Sequence, residues 1–354
     1  MDQHHHSHLF PGVPLALGSA ILFGASAPLS KWLLGSVDPW LLAGILYVGA
    51  GVGLALVHWG RPLLGLERVE TPLSRPDLPW LAAVVLFGGI MAPLFLMLGL
   101  SLTTASSASL LLNLEGLATM LIAWLVFREN VDRRLLMGAL AILLGTAILS
   151  FDGGAFRLDP GGAWIAAACL CWGIDNNLTR KLSSADPVQI AMIKGLAAGS
   201  TNVILAFMLG AAIPDVTIIA VGAVVGFLGI GVSLVMFMLG LRHLGTARTG
   251  AYFSLAPFIG ALIAVTVFRE APSVSLLVAA FLMGIGLWLH LSERHEHDHV
   301  HDPLEHDHLH SHDDHHSHVH DGAVTEPHAH WHRHTPLRHK HPHYPDLHHR
   351  HGHG

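Results

Sequence analysis

The sequence predicts an all-α integral membrane protein: ten transmembrane helices as two inverted five-helix repeats, followed by a disordered His-rich tail. Three observations carry this. The 354-residue chain is 52% hydrophobic and only 12% charged, a composition typical of membrane proteins rather than soluble domains. Apolar runs of about twenty residues, each able to cross roughly 30 Å of hydrocarbon, recur from Val13 to Leu291. Beyond Leu291 the apolar character stops, and residues 292–354 hold 23 His, 11 Asp or Glu and five Lys or Arg.

Residues 1–11 precede the first span and carry HHHSH, from His4 to His8. The run that follows does not read as a cleaved signal peptide, because it lacks a basic start and a small-residue cleavage site and is too long. Candidate spans lie near 12–34, 38–59, 79–100, 104–127, 135–151, 161–179, 187–210, 216–241, 246–268 and 273–291, read from apolar runs against turn and charge punctuation. Lys and Arg set their direction. With a cytoplasmic N-terminus, inner loops receive Arg61, Arg68, Arg75, Arg128, Arg133, Arg134, Arg180, Lys181, Arg242 and Arg248, whereas outer loops receive only Lys31, Arg157 and Arg269. The positive-inside rule therefore places both termini in the cytoplasm of a cell bounded by this inner, plasma membrane.

The chain repeats itself. FGASAPLSKWLLGSVDPWLLAGIL from Phe23 is similar to WGIDNNLTRKLSSADPVQIAMIK from Trp172, with an aromatic-Gly start and an Asp-Pro helix opening in each. WLVFRE closes one copy at Glu129 and VTVFRE the other at Glu270. The copies, residues 12–151 and 161–291, hold five spans each, an odd number, so the second sits upside down. Inverted repeats mark alternating-access carriers, with the site near the midplane between the copies.

These features together resemble the drug/metabolite transporter superfamily, EamA type: the aromatic-Gly dipeptides, the Asp-Pro openings, LAPFIGALIAVTVFRE with Pro257, and Gly-rich fifth and tenth spans. The resemblance covers residues 12 to 291 and not the tail. It implies a ten-helix carrier with a central cavity that moves small organic solutes, often outward. Two positions depart from the pattern. Gly116, preceded by Glu115, stands where the second copy has Pro257, and Leu46 and Lys194 stand where the family often has Arg. The cavity is therefore expected to be asymmetric.

Charged side chains at mid-helix cost about 2.5–3.5 kcal/mol on insertion scales, so they face a cavity or a partner. Glu115 lies near the middle of the fourth span. It reads either as a proton-exchanging group or as a neutral carboxyl bonded to a neighbouring helix. Asn113, two positions away, is off its face. Lys194 lies about seven residues into the seventh span. It reads as a snorkelling side chain, as a partner of Glu115, or as a clamp on an anionic substrate. Asp175, Asn176 and Asn177 are consecutive near the end of the sixth span and cannot all face one way; Asn202 shares the face of Lys194. These six, Glu115, Asp175, Asn176, Asn177, Lys194 and Asn202, are the expected transport-pathway residues.

Other features have structural readings. Gly49 with Gly53, Gly195 with Gly199, and Gly222 with Gly226 allow helices to approach closely. Pro93 and Pro257 remove backbone hydrogen bonds and can kink their helices. Trp32, Trp40, Trp80, Trp124, Trp164 and Trp288 lie toward span ends, as an interfacial belt requires. Cys169 and Cys171 read as packed thiols.

The tail cannot build a core and is expected to be disordered without a ligand. His297, His299, His301, His306, His308, His310, His312, His315, His316, His318 and His320 alternate with carboxylates, and neutral imidazole suits divalent Zn, Ni, Co or Cu. The net charge of −6 counts all 30 His as neutral; below about pH 6 the tail turns cationic and releases its metal. Three functions remain open: a secondary-active carrier of small solutes with the tail as regulator or buffer, a transporter of divalent metal or metal chelate, and a metal-responsive sensor that moves nothing. No enzyme is expected, since HExxH, GxSxG and paired intramembrane carboxylates are lacking. The expected partners are a small-molecule substrate, the bilayer and metal ions, with no nucleic acid. Transport needs no cofactor, and the chain is a monomer or homodimer.

Overall fold

The computed structural model describes residues 12–60, 73–127, 133–149, 151–152, 155–156, 160–179, 182, 185–291, 296–300, 305–310, 328–333 and 338–342. Helices dominate: α1 (Gly12–Leu33), α2 (Pro39–Gly60), α3 (Leu78–Val84), α4 (Ala92–Leu102), α5 (Ala105–Leu111), α6 (Leu114–Phe127) and α7 (Arg133–Leu149) in the first copy. The second copy holds α8 (Pro160–Thr179), α9 (Pro187–Met208), α10 (Val216–Gly226), α11 (Ser233–Phe253), α12 (Ala256–Thr266) and α13 (Val274–Leu291). Phe151–Asp152 and Ala155–Phe156 form a short ladder, β1 with β2, between the copies. In the tail, β3 (Glu296–Val300) pairs with β6 (Arg338–Pro342), and β4 (Glu305–His310) with β5 (His328–Arg333), all antiparallel. The His4 to His8 stretch and His301, His312, His315, His316, His318 and His320 lie outside the described residues.

Six described stretches are long and apolar enough to cross a membrane: Gly12–Leu33, Pro39–Gly60, Arg75–Leu102, Ala105–Val126, Pro187–Met208 and Val216–Gly240. The helix α8 has 20 residues, carries Asp175, Asn176 and Asn177 near its end at Thr179, and is not among them. The outer surface is apolar. Leu56, Leu125, Met208, Val274 and Phe281 are each more than two-thirds exposed, the pattern of side chains that meet lipid rather than water.

Helices begin where the Asp-Pro openings predict. Asp38 Oδ1 accepts from the Trp40 and Leu41 amides, and Asp186 Oδ1 from the Val188 amide, so each supplies an acceptor to otherwise unpaired first-turn donors. The helix α9 ends at Gly210, whose φ of 88° is the left-handed geometry glycine adopts freely. Three spans are less regular than hydropathy suggests. The expected 104–127 helix breaks at Leu112–Asn113, between α5 and α6. The segments joining α3 to α4, Val85–Met91, and α10 to α11, Phe227–Val232, widen into π-helix, one in each copy. Within α11 the chain reverses: a Cβ on Gly240 would lie 3.1 Å from Thr249 Cγ2, a contact impossible across nine residues of straight helix, about 13 Å.

Packing exchanges elements between the copies. The helix α1 packs against α11 and α12, while α8 packs against α4 and α6; α2 lies on α9, and α7 on α13. Gly24 of α1 abuts Ala256 and Ile259, and Gly173 of α8 abuts Ala118 and Thr119. Ile259 and Ala118 hold matching places, each nine residues before the Phe of its FRE. The Gly195 and Gly199 face of α9 meets α2, but at Gly51 and Val48: a Cβ on Gly195 would lie 2.6 Å from the Gly51 nitrogen, whereas Gly49 and Gly53 of α2 instead abut Ala223 and Phe227.

Candidate functional site

The site begins with an absent donor. In the π segment before α4, the Ala92 amide donates five residues back, to the Phe87 carbonyl. Its successor in that ladder is Pro93, which has no N–H. The Gly88 carbonyl therefore loses its helical donor and turns to side chains. It accepts from the Tyr47 hydroxyl at 2.8 Å and from Trp172 Nε1 at 3.2 Å, both buried. Beside it the Gly89 and Ile90 carbonyls accept long bonds from Asn202 Nδ2, at 3.4 and 3.5 Å. Asn202 itself is fully buried.

The same glycines make room for charge. A Cβ on Gly88 would collide with the Asp175 carboxylate, and one on Gly89 would lie 2.6 Å from Ala198 Cβ and 3.4 Å from Lys194 Cγ. Into this cleft α9 sends Lys194, whose Nζ donates to Asp175 Oδ2 at 2.5 Å, with side chains only 10% and 6% exposed. The Thr179 hydroxyl donates to the second carboxylate oxygen at 3.3 Å. A buried pair is tolerable only when its remaining lone pairs find such partners. Lys194 thus pairs with Asp175, and the alternative of a Lys194–Glu115 pair is not the one formed.

Glu115 belongs to a second polar group. It sits in the first turn of α6, just past the Leu112–Asn113 break, half-buried. Its Oε1 accepts from Asn176 Nδ2 at 3.0 Å, which also donates to Thr119 Oγ1 at 3.2 Å. Asn176 is exposed on the surface of the bundle. Asn177 turns the other way and is buried, donating to the Thr119 and Gly173 carbonyls at 3.1 and 2.8 Å. The three consecutive polar residues of α8 therefore split three ways, as 100° steps around a helix require. Asn113 is buried and donates to the Leu110 carbonyl at 2.8 Å.

The two ends of the bundle carry different polar contacts. At one, Lys31 Nζ donates to the Leu100 carbonyl at 2.6 Å, and both Glu270 oxygens accept from the Ala105 and Ser106 amides, at 2.8 and 2.9 Å. At the other, His58 Nδ1 lies 3.9 Å from Asp186 Oδ2, and Gln189 Oε1 accepts from the Leu73 amide at 2.9 Å. The Asp175–Lys194 pair stands nearer this second end, since Asp175 is about 6 Å of helix from Thr179 and Lys194 about 10 Å from Pro187. At the start of α10, Asp215 accepts from the Thr217 amide at 2.7 Å, and this bond holds its carboxyl below the usual range.

The expected pathway residues thus form two groups, Asp175 with Lys194 and Glu115 with Asn176, while Asn177 and Asn202 bond backbone carbonyls. Tyr47, Trp172, Gly88 and Thr119 went unforeseen. The signal for Gly88 was present in Gly88-Gly89 followed by Pro93 within one apolar run. Among residues with described side chains, no group of three or more His, Cys, Asp or Glu is placed to hold a metal ion.

Known proteins fit this architecture. A protein of Methanothermobacter thermautotrophicus named as an uncharacterized transporter is 29% identical over 287 residues, 77% of this chain and 83% of that protein. The uncharacterized transporter YyaM of Bacillus subtilis is 19% identical over 264 residues, 72% of this chain and 85% of YyaM. A crystal structure 22% identical in sequence covers 79% of this chain and 98% of its own, with a TM-score of 0.60, a likeness of fold alone. The EamA-like transporter family matches twice, over residues 10–151 and 159–292. The chain belongs to the EamA-like transporter family and is a multi-pass membrane transporter.

Proposed function

We propose that the protein is a secondary carrier that exports small solutes by alternating access, through ten spans arranged as five plus five inverted, with both termini on the cytoplasmic side of the inner membrane. The buried Asp175–Lys194 pair carries this reading. It sits where α2, the π segment, α8 and α9 meet, against a backbone whose hydrogen bonds have been opened. Intramembrane charge is costly and is kept where a pathway needs it, and broken helices supply backbone acceptors to such sites. The crosswise packing supports the rocking of one set of helices against the other, with a π segment in each copy as the yielding point.

Glu115 and Asn176 border the same route from α6 and α8. An exposed Asn beside a carboxyl at this depth fits a water-filled crevice better than lipid. Glu115 is then placed to take up a proton on one side and release it on the other, which would couple transport to the proton gradient. The tail binds a divalent ion, Zn, Ni, Co or Cu, and acts as regulator or buffer on the cytoplasmic side.

Flux measurements on purified protein in proteoliposomes test this, with the full chain and a version ending at Ser292. Saturable movement of a small solute by both versions is the expected result. Movement of zinc or nickel in place of any solute would replace this reading with metal transport. Absence of all flux in protein that remains folded would make the molecule a sensor.

A further inference from the structure

Residues 99–129 and 240–270 align without a gap, each opening on Gly-Leu and ending in VFRE. Every position of α5 and α6 therefore has a counterpart 141 residues further on, in α11 or α12. Ser109 corresponds to Gly250, Gly116 to Pro257, and Thr119 to Gly260. On one side of the bundle the packing obeys this correspondence. The helix α1 packs on α12 as α8 packs on α6. Gly24 of α1 meets the Ile259 side chain, and Gly173 of α8 meets that of Ala118, its counterpart.

On the other side the correspondence fails. The helix α5 packs on α12; a Cβ on Gly260 would lie 3.0 Å from Ser109 Cβ, and both residues are buried. The matching contact would join Thr119 of α6 to Gly250 of α11. Instead, a Cβ on Gly250 would meet nothing within 4 Å. The same is true of Gly116, which is exposed one residue after Glu115, whereas its counterpart Pro257 is buried. Among the described residues α6 has no packing on α11 to match that of α5 on α12. The bundle is thus shut beside Ser109 and open beside Gly250.

Groups that cross between helices hold the shut end. Glu270, beyond α12, takes the Ala105 and Ser106 amides of α5, and Lys31 of α1 donates to the Leu100 carbonyl. Ser109 Oγ is buried there with no hydrogen-bond partner. A buried hydroxyl left unpaired favours any arrangement that returns it to water, so the shut end also holds a group that gains by opening.

We propose that the two ends exchange: as α5 leaves α12 between Ser109 and Gly260, the end of α11 closes on α6 between Gly250 and Thr119. The arrangement described is then the state open beside Glu115 and Asn176, and on the sidedness proposed above that opening faces the cytoplasm. This rests on the reading of the protein as an alternating-access carrier, and it names the contacts that break and form. Corresponding stretches can trade arrangements at little net cost, because one end gains what the other loses. Ser109, Gly250 and Gly260 are small, which suits close helix contact in either state. Closure over Thr119 would also cover the carboxyl group. The Thr119 hydroxyl donates to the Glu115 backbone carbonyl at 2.9 Å, and Asn176 Nδ2 donates to both Glu115 Oε1 and Thr119 Oγ1.

The test uses the full-length protein in lipid nanodiscs, with Cys169→Ala and Cys171→Ala as background. Thr119→Cys with Gly250→Cys should form a disulfide on treatment with copper phenanthroline, since closure brings the two positions together. Ser109→Cys reports on the other end through its rate of labelling by a water-soluble maleimide. The minor state of such an equilibrium holds about 0.1–10% of molecules, so locking it should quicken that labelling about tenfold or more, and dithiothreitol should reverse the change. Gly250→Leu gives a second test. Its side chain enters open space in the state described, so the thermal midpoint should hold, but it obstructs closure on α6 and should slow the labelling of Ser109→Cys. A Thr119→Cys and Gly250→Cys pair that never cross-links would overturn the exchange, as would one that cross-links and leaves Ser109→Cys labelling unchanged. Absence of solute flux in the wild type, with the cross-link formed and Ser109→Cys exposed, would instead overturn the carrier and leave the exchange of ends standing.

Discussion

Pro93 lies five residues beyond Gly88, and the π segment between them makes Pro93 the residue whose N–H would have bonded the Gly88 carbonyl. The proline has none, so the carbonyl accepts from Tyr47 and Trp172 instead. One imino acid thus joins three elements, α2, the π segment and α8, beside the Asp175–Lys194 pair.

Removal of one donor measures that junction. Tyr47→Phe should lower stability by about 0.5–1.5 kcal/mol, the net worth of a hydrogen bond. Trp172 remains as a donor, so the protein should still fold. Thermal unfolding in detergent should show a fall of a few degrees, and an unchanged midpoint would mean that the bond contributes nothing.

The ion pair predicts a non-additive response. Lys194→Ala leaves a buried carboxylate without its partner and should cost about 3–5 kcal/mol, whereas replacing Asp175 and Lys194 together by leucine should recover much of that loss. A double-mutant cycle on unfolding midpoints checks this. Transport should be lost in both, which separates the pair's role in the carrier from its role in folding.

Glu115→Gln keeps an oxygen for the Asn176 amide to bond but removes the titrating group. Stability should change by less than about 1 kcal/mol. Solute flux should lose its dependence on pH and on an imposed proton gradient. A variant that keeps wild-type transport at every pH would remove Glu115 from the coupling step.

Glu270 caps α5 from outside that helix, its two oxygens taking the Ala105 and Ser106 amides. Glu270→Ala should cost about 1–2 kcal/mol, as loss of a helix cap does. Glu270→Gln should retain part of the cap. Equal midpoints for the alanine variant and the wild type would show that water replaces the carboxylate without loss.

By itself the sequence determined the membrane class, the family it resembles and the residues whose charge is out of place in hydrocarbon. These follow from local composition, because the bilayer demands about twenty apolar residues per crossing wherever they occur. Glu115, Asp175 and Lys194 stood out for the same reason. Which of them meet was decided only in three dimensions. Lys194 could have reached Glu115 or Asp175; the rotation of α9 against α8, and the space left by Gly88 and Gly89, selected Asp175. The break at Leu112–Asn113 and the widening at Val85–Met91 were likewise invisible to hydropathy, which does not register how a helix's hydrogen bonds are closed. In the tail the sequence supplied alternating histidines, and only the backbone register set His306 opposite His332 and His297 opposite His341.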